Sequence, residues 1–115
     1  MKVTFSARCQ DMEKDVRGFF FEKASKLEVY LKRFKEDLVT LHGSLEKNPH
    51  KDEFYATVSL YLPTGVLYCR EDGEDPGSAI NLVFLDIVRQ IKKHKDKLNI
   101  EKRRLRKHPI KGRFR

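Results

Sequence analysis

Thirteen of the chain's 25 lysines and arginines lie between Arg89 and Arg115, a stretch of 27 residues that holds only two acids, Asp96 and Glu101. That stretch carries +11, the preceding 88 residues carry −3, and the whole chain is +8. Lysine and arginine are pure donors, and a cluster with few acids binds a polyanion through its phosphates. Nucleic acid is the first candidate partner and an anionic membrane surface the second. Arg89, Lys92, Lys93 and Asp96, flanked by Lys95 and Lys97, share one face of a helical pattern. Arg103, Arg104, Arg106 and Lys107 form a second, denser run, which suits single-stranded or structured RNA. Lys23, Lys26 and Arg33 lie on the exposed sides of an earlier helical pattern. An ordinary solvated helix face mixes both signs of charge; this one barely does, so we read it as a binding patch.

Signals for other chemistry are weak. Asp72, Glu74 and Asp75 cluster in one segment but lack the ordered ligand spacing of a calcium loop, so they read as an acidic, helix-capping loop. Cys9 and Cys69 are 60 positions apart with no CxxC spacing, and in a reducing compartment they read as small buried hydrophobes. His42, His50, His94 and His108 are scattered, without metal-ligand spacing. Ser25, Ser44 and Ser59 have no identifiable base, and no nucleophile-elbow, phosphate-loop or HExxH motif is present. No catalytic residue, metal, cofactor or small-molecule substrate is expected.

These side chains need elements to position them. A length of 115 residues gives one domain with a modest core. Val3, Phe5, Ala7 and Cys9 alternate with polar residues, which predicts a half-buried strand. Apolar residues from Val16 to Phe34 recur at helical spacing, which predicts a long amphipathic helix from Met12 to about Lys35, with Asp11 as its cap. Alternation over Leu38–Lys47 and Phe54–Leu62 predicts two further strands, with a turn at Asn48-Pro49 between them. Pro63-Thr64-Gly65 makes a hairpin to a fourth strand, Val66–Arg70, and residues 71–77 form the acidic loop. A second helix opens at Asp75-Pro76 or Ser78 and buries Ile80, Val83 or Phe84, Ile87, Ile91 and Leu98.

The predicted architecture is α+β in the order β-α-β-β-β-α. The last three strands form an antiparallel meander, and a right-handed crossover makes the first strand parallel to its neighbour. Each strand has one apolar face, so both helices cover the same side of the four-stranded sheet. Thr4, Ser6, Thr40, His42, Ser44, Thr57 and Ser59 are left on a wet face. Tyr55 and Tyr61 lie there too; they could stack on bases, although edge packing is the commoner role. Residues 1–98 form the folded domain, and 99–115 a flexible basic extension. No apolar run of about 18 residues exists to span a membrane, and the start lacks the apolar block of a signal peptide, so a cytoplasmic location is expected.

Three motifs add a resemblance. Lys26-Leu27-Glu28-x-Tyr30, the stretch Glu71 to Asp75 followed by Ala79-Ile80, and above all Arg89-Gln90-Ile91-Lys92-Lys93-His94-Lys95-Asp96-Lys97-Leu98 resemble the ribosome hibernation promoting factor family of ribosome-associated translation inhibitors. The resemblance covers about residues 1–98, and the element order is similar too. It implies a short-form protein, monomeric when free, that binds the small ribosomal subunit and the whole ribosome. The site is the mRNA and tRNA channel between head and body, and translation is blocked sterically under stress. By motif match, Lys23, Lys26, Arg89, Lys92, Lys93, Lys95 and Lys97 would contact rRNA. The long forms carry a second domain that pairs ribosomes, which is not found here, and the strong basicity of 99–115 does not match the extension of short forms that keep ribosomes unpaired. The direction of any effect on ribosome pairing stays open. The competing reading is a stand-alone regulator that binds structured RNA off the ribosome. A small enzyme on a related scaffold would need a pocket with a strongly shifted acid or base, and the sequence names none.

Overall fold

The computed structural model describes residues 1–8 and 13–107, the segments 13–15 and 101–107 by backbone alone. Cys9, Asp11 and His108, with the rest of 108–115, lie outside the described residues. The elements are β1 (Lys2–Ala7), α1 (Glu13–Leu27), β2 (Thr40–Lys47), β3 (Phe54–Leu62), β4 (Gly65–Gly73) and α2 (Pro76–Lys107), with single 3-10 turns at Glu28–Leu31 and Glu36–Leu38. The sheet order is β1-β2-β3-β4. β1 runs parallel to β2, and the other two pairs are antiparallel, as the crossover and the hairpins require.

Register turns the alternation of each strand into two faces. Phe5 lies opposite Gly43, Gly43 opposite Val58, and Val58 opposite Cys69, an inward row across all the strands. One position along, Thr4, His42, Ser59 and Tyr68 make an outward row. α1 and α2 close the inward side with a continuous core that includes Val16, Phe20 and Leu27 of α1 and Ile80, Val83, Phe84, Ile87 and Ile91 of α2. Each such side chain contributes about 1.5–3 kcal/mol of transfer free energy. Phe20 stands at the centre: it stacks on Phe5 at 4.4 Å between ring centroids and meets Phe84 at 5.1 Å. Gly43 makes room for it, because a methyl at that position would run into the Phe20 ring.

Two boundaries differ from the sequence expectation. The first helix ends at Leu27 and tightens into the 3-10 turn instead of running to Lys35. Leu27, Leu31 and Phe34 fit either geometry, since their spacings of three and four residues suit both. The 15 residues of α1 make a helix of about 22 Å, close to the length of the strands it covers. β4 continues through Gly73, with Glu71 opposite Ala56 and Asp72 opposite Tyr55, so half of the expected acidic loop is strand.

α2 also extends beyond the sequence boundary at residue 98. Its buried stripe ends at Ile91, with Leu98 only half-buried, yet the helix runs on to Lys107. The segment expected as a flexible extension from residue 99 thus begins as helix. At the other end, Asp75 caps α2: its Oδ1 accepts from the Ser78 backbone N–H at 2.8 Å, and its Oδ2 accepts from the Ser78 hydroxyl at 3.2 Å.

Candidate nucleic-acid interface

Burying Ile80, Val83, Ile87 and Ile91 turns the opposite face of α2 outward, and the basic residues follow. Arg89, Lys92, Lys93 and Lys97 are exposed and Lys95 is half-buried; on α1, Lys26 is exposed and Lys23 half-buried. At about 100° per residue, Lys92 and Lys95 fall on the flank of α2 toward α1, and Lys93 and Lys97 on the flank toward β4. Two contacts fix that orientation. The Lys92 ammonium lies 5.6 Å from the centroid of the Tyr30 ring, beyond α1, and the Gln90 side-chain amide donates to the Tyr68 carbonyl of β4 at 3.0 Å. The basic residues therefore divide. Lys23, Lys26 and Lys92 gather on the α1 side, while Arg89, Lys93 and Lys97 face outward and toward β4. Arg103, Arg104, Arg106 and Lys107 continue along α2 beyond the sheet, with only their backbone described. Arg33, after the 3-10 turn, lies over Phe34 at 5.7 Å.

Between the helices runs a groove of about 480 Å³. On one wall are Lys23, Lys26 and Leu27 of α1 and Tyr30 of the 3-10 turn that follows it. On its α2 wall are Asn81, Phe84, Leu85 and Val88. Both walls repeat at three- and four-residue spacing, as one stripe of a helix must. The sequence reading missed the groove. Its signal was Leu85 and Val88, apolar residues beside the core stripe, of which Leu85 stays 63% exposed.

Of the acids near the patch, Glu22 pairs with Lys26 of the patch itself at 3.9 Å, and two others are committed elsewhere. Asp75 is the helix cap, and Asp72 pairs with Arg70 at 3.8 Å. Among the described residues no three of His, Cys, Asp and Glu are placed to hold a metal ion. Glu71 of β4 meets Asp86 of α2. Desolvation, the Asp86 charge and a hydrogen bond between the two carboxyls hold the Glu71 acid above the ordinary carboxylate range, against a smaller opposing pull from Arg89. Burial, with Asp86 and Glu71 nearby, pushes the Cys69 thiol up to about 12, so it stays protonated and is no nucleophile at neutral pH.

On the open sheet face, Tyr55 is not free to stack. Its hydroxyl donates to the Glu46 carboxylate, and the Arg70 guanidinium covers its ring at 4.1 Å. Thr4 and His42 share a hydrogen bond of 2.6 Å, and Ser44 and Thr57 share another. Tyr61 and Tyr68 are the exposed aromatics there, 46% and 58% accessible. The molecule therefore has a cationic helical side and a weakly charged hydroxyl side.

Comparison with known proteins adds the context of this arrangement. The family model described as "Sigma 54 modulation protein / S30EA ribosomal protein" matches residues 3–99, all but the first residue of the sheet and α2 as far as Asn99. The chain belongs to this family. The ribosome hibernation promoting factor of Escherichia coli K12, a similar protein, is 29% identical over 98 residues, covering 85% of this chain and 97% of the relative. A ribosomal subunit interface protein from Coxiella burnetii shares the fold of this S30EA chain with a TM-score of 0.64 at 17% identity, over 84% of this chain and 99% of that one. The N-terminal domain of Protein Y from Thermus thermophilus does so with a TM-score of 0.66 at 18% identity, over 82% and 99%. The β-α-β-β-β-α sheet with its two-helix layer is thus the S30EA fold.

Proposed function

We propose that this protein is a ribosome hibernation factor that binds the small ribosomal subunit in the mRNA and tRNA channel and blocks translation sterically, without chemistry of its own. One observation carries the reading: a helical layer rich in lysine and poor in free acid, in a chain of this family that is 29% identical to a ribosome hibernation promoting factor over nearly that protein's whole length. A wedge between head and body meets rRNA phosphates on several sides. Lysines on α1, on both flanks of α2 and along its projecting end suit that geometry better than one flat patch would. Lys23, Lys26, Arg89, Lys92, Lys93, Lys95 and Lys97 are the proposed rRNA contacts, and Arg103, Arg104, Arg106 and Lys107 continue them along the channel. The rRNA of the small subunit is then the partner, the free protein is a monomer, the ribosome-binding unit is 1–98 with 99–115 as its basic extension, and the site of action is the cytoplasm.

The test is co-sedimentation with purified small subunits and whole ribosomes through a sucrose gradient, in excess competitor RNA. Retention near one copy per small subunit is expected, and the gradient also reports whether ribosomes pair. Release into the free RNA fraction would replace this reading with that of a general binder of structured RNA.

A further inference from the structure

We infer that the groove between α1 and α2 is a pocket for a single unpaired nucleobase, and that this base is held between the apolar floor and the rim lysines. The inference rests on the proposed reading of the chain as an RNA binder and adds the form of RNA it takes. Lysines alone explain contact with any phosphate backbone; they do not explain why an apolar trench opens beside them. Leu85 is 63% exposed at its edge, Tyr30 is half-buried on the facing wall, and the buried Phe84 lies at the floor. Water-exposed apolar surface of this kind costs free energy until something flat and apolar covers it.

Charge complementarity selects the occupant. Lys23 and Lys26 line one wall, and Lys92 stands over the Tyr30 ring. No aspartate or glutamate lines the groove. A base unstacked from its strand offers an apolar face to Leu85 and Val88, while the phosphates on either side of it reach the lysines. The Asn81 amide, with one acceptor and two donors, can pair with a base edge. About 480 Å³ falls in the range of small-ligand sites and admits one nucleoside, not a duplex. Double-stranded RNA presents no free base, so the groove would favour loops, bulges and single strands.

The experiment compares two six-nucleotide single-stranded RNAs, one carrying a 2-aminopurine and the other an abasic residue in its place. The base-bearing strand is expected to bind roughly tenfold tighter, the scale of one stacked base. Its addition is expected to shift the Leu85 and Val88 methyl resonances, which the abasic strand leaves in place. Asn81→Trp, at an exposed position, fills the groove and is expected to bring the base-bearing strand down to the abasic level. Equal binding of the two strands with unmoved methyls would overturn the inference, leaving the lysines as backbone contacts only. Methyl shifts caused by a glutamate-rich amphipathic peptide and not by the base-bearing strand would overturn it in favour of a protein segment. Sedimentation with small subunits, run in parallel, separates the two levels. Retention on subunits without base preference sinks the groove alone; base preference without retention sinks the ribosome reading and supports the groove.

Discussion

Phe20 and Gly43 show how little freedom single positions have here. The Phe20 ring occupies the space a side chain would need at Gly43, in an aromatic cluster with Phe5 and Phe84 that has no room to yield. Gly43→Ala is expected to cost about 1–3 kcal/mol, the usual penalty for overpacking. It should appear as a lower urea midpoint with an unchanged denaturant slope. Glu71 makes a different prediction. Its folded-state acid strength is weakened by desolvation, by the Asp86 charge and by their shared hydrogen bond, so the folded chain holds this proton to a higher pH than the unfolded chain does. The group's contribution to stability is then full below its ordinary pKa of 4.5 and is lost as pH rises through the raised value. Glu71→Gln removes the repulsion and is expected to be more stable than the parent at pH 7, with the difference shrinking toward pH 4. Thermal midpoints at the two pH values check it.

At the level of elements, α2 does two jobs with two halves. Up to Ile91 it is held by the core; beyond, the support is lighter: Lys92 lies over Tyr30, His94 and Thr64 share a hydrogen bond of 2.7 Å, and Leu98 is half-buried. Arg89 and Lys93, Lys93 and Lys97, and Arg103 and Lys107 are like charges four residues apart, each pair opposing the helix by about 0.2–0.5 kcal/mol. Neutralisation by a polyanion removes that opposition, so polyphosphate is expected to increase the helical circular dichroism signal at low salt. Lys92→Glu with Lys93→Glu alters two exposed positions on opposite flanks. It should leave the thermal midpoint close to the parent's and reduce retention on small subunits severely. The strands and the buried stripe of α2 were legible in the sequence because period two and period 3.6 leave separate marks. The end of α1 was not, because Leu27, Leu31 and Phe34 repeat in a way both helix types accept. The split of the lysines between two flanks needed the Tyr30 and Gln90 contacts, which no periodicity encodes.

On the scale of the whole molecule, the charge division read in the sequence becomes a spatial one. Residues 1–88, which include the whole sheet and α1, are mildly acidic, α2 from Arg89 onward is basic, and its far end is more basic still. If roughly 6–10 phosphates are neutralised, affinity for the small subunit should fall by about 10³–10⁵ between 50 and 200 mM salt. Titrations at several salt concentrations measure the slope. Removal of residues 101–115 should flatten that slope and weaken binding while leaving the cooperative unfolding of the rest unchanged, since among the residues whose side chains are described every buried core residue lies at or before Ile91. The element order and the basic clusters were readable from composition and spacing; the groove was not, because apolar residues beside a helix's core stripe have meaning only once a neighbouring helix is known to stand beside them. The projecting, positively charged end of α2 also makes the free protein a large electric dipole with its positive pole on a stalk. In the field of a polyanion such a molecule turns before it touches, and it arrives pole first. Encounter is therefore oriented: added salt should slow association far more than it speeds release, and the end of α2 should be the first part of the chain to lose its mobile counterions.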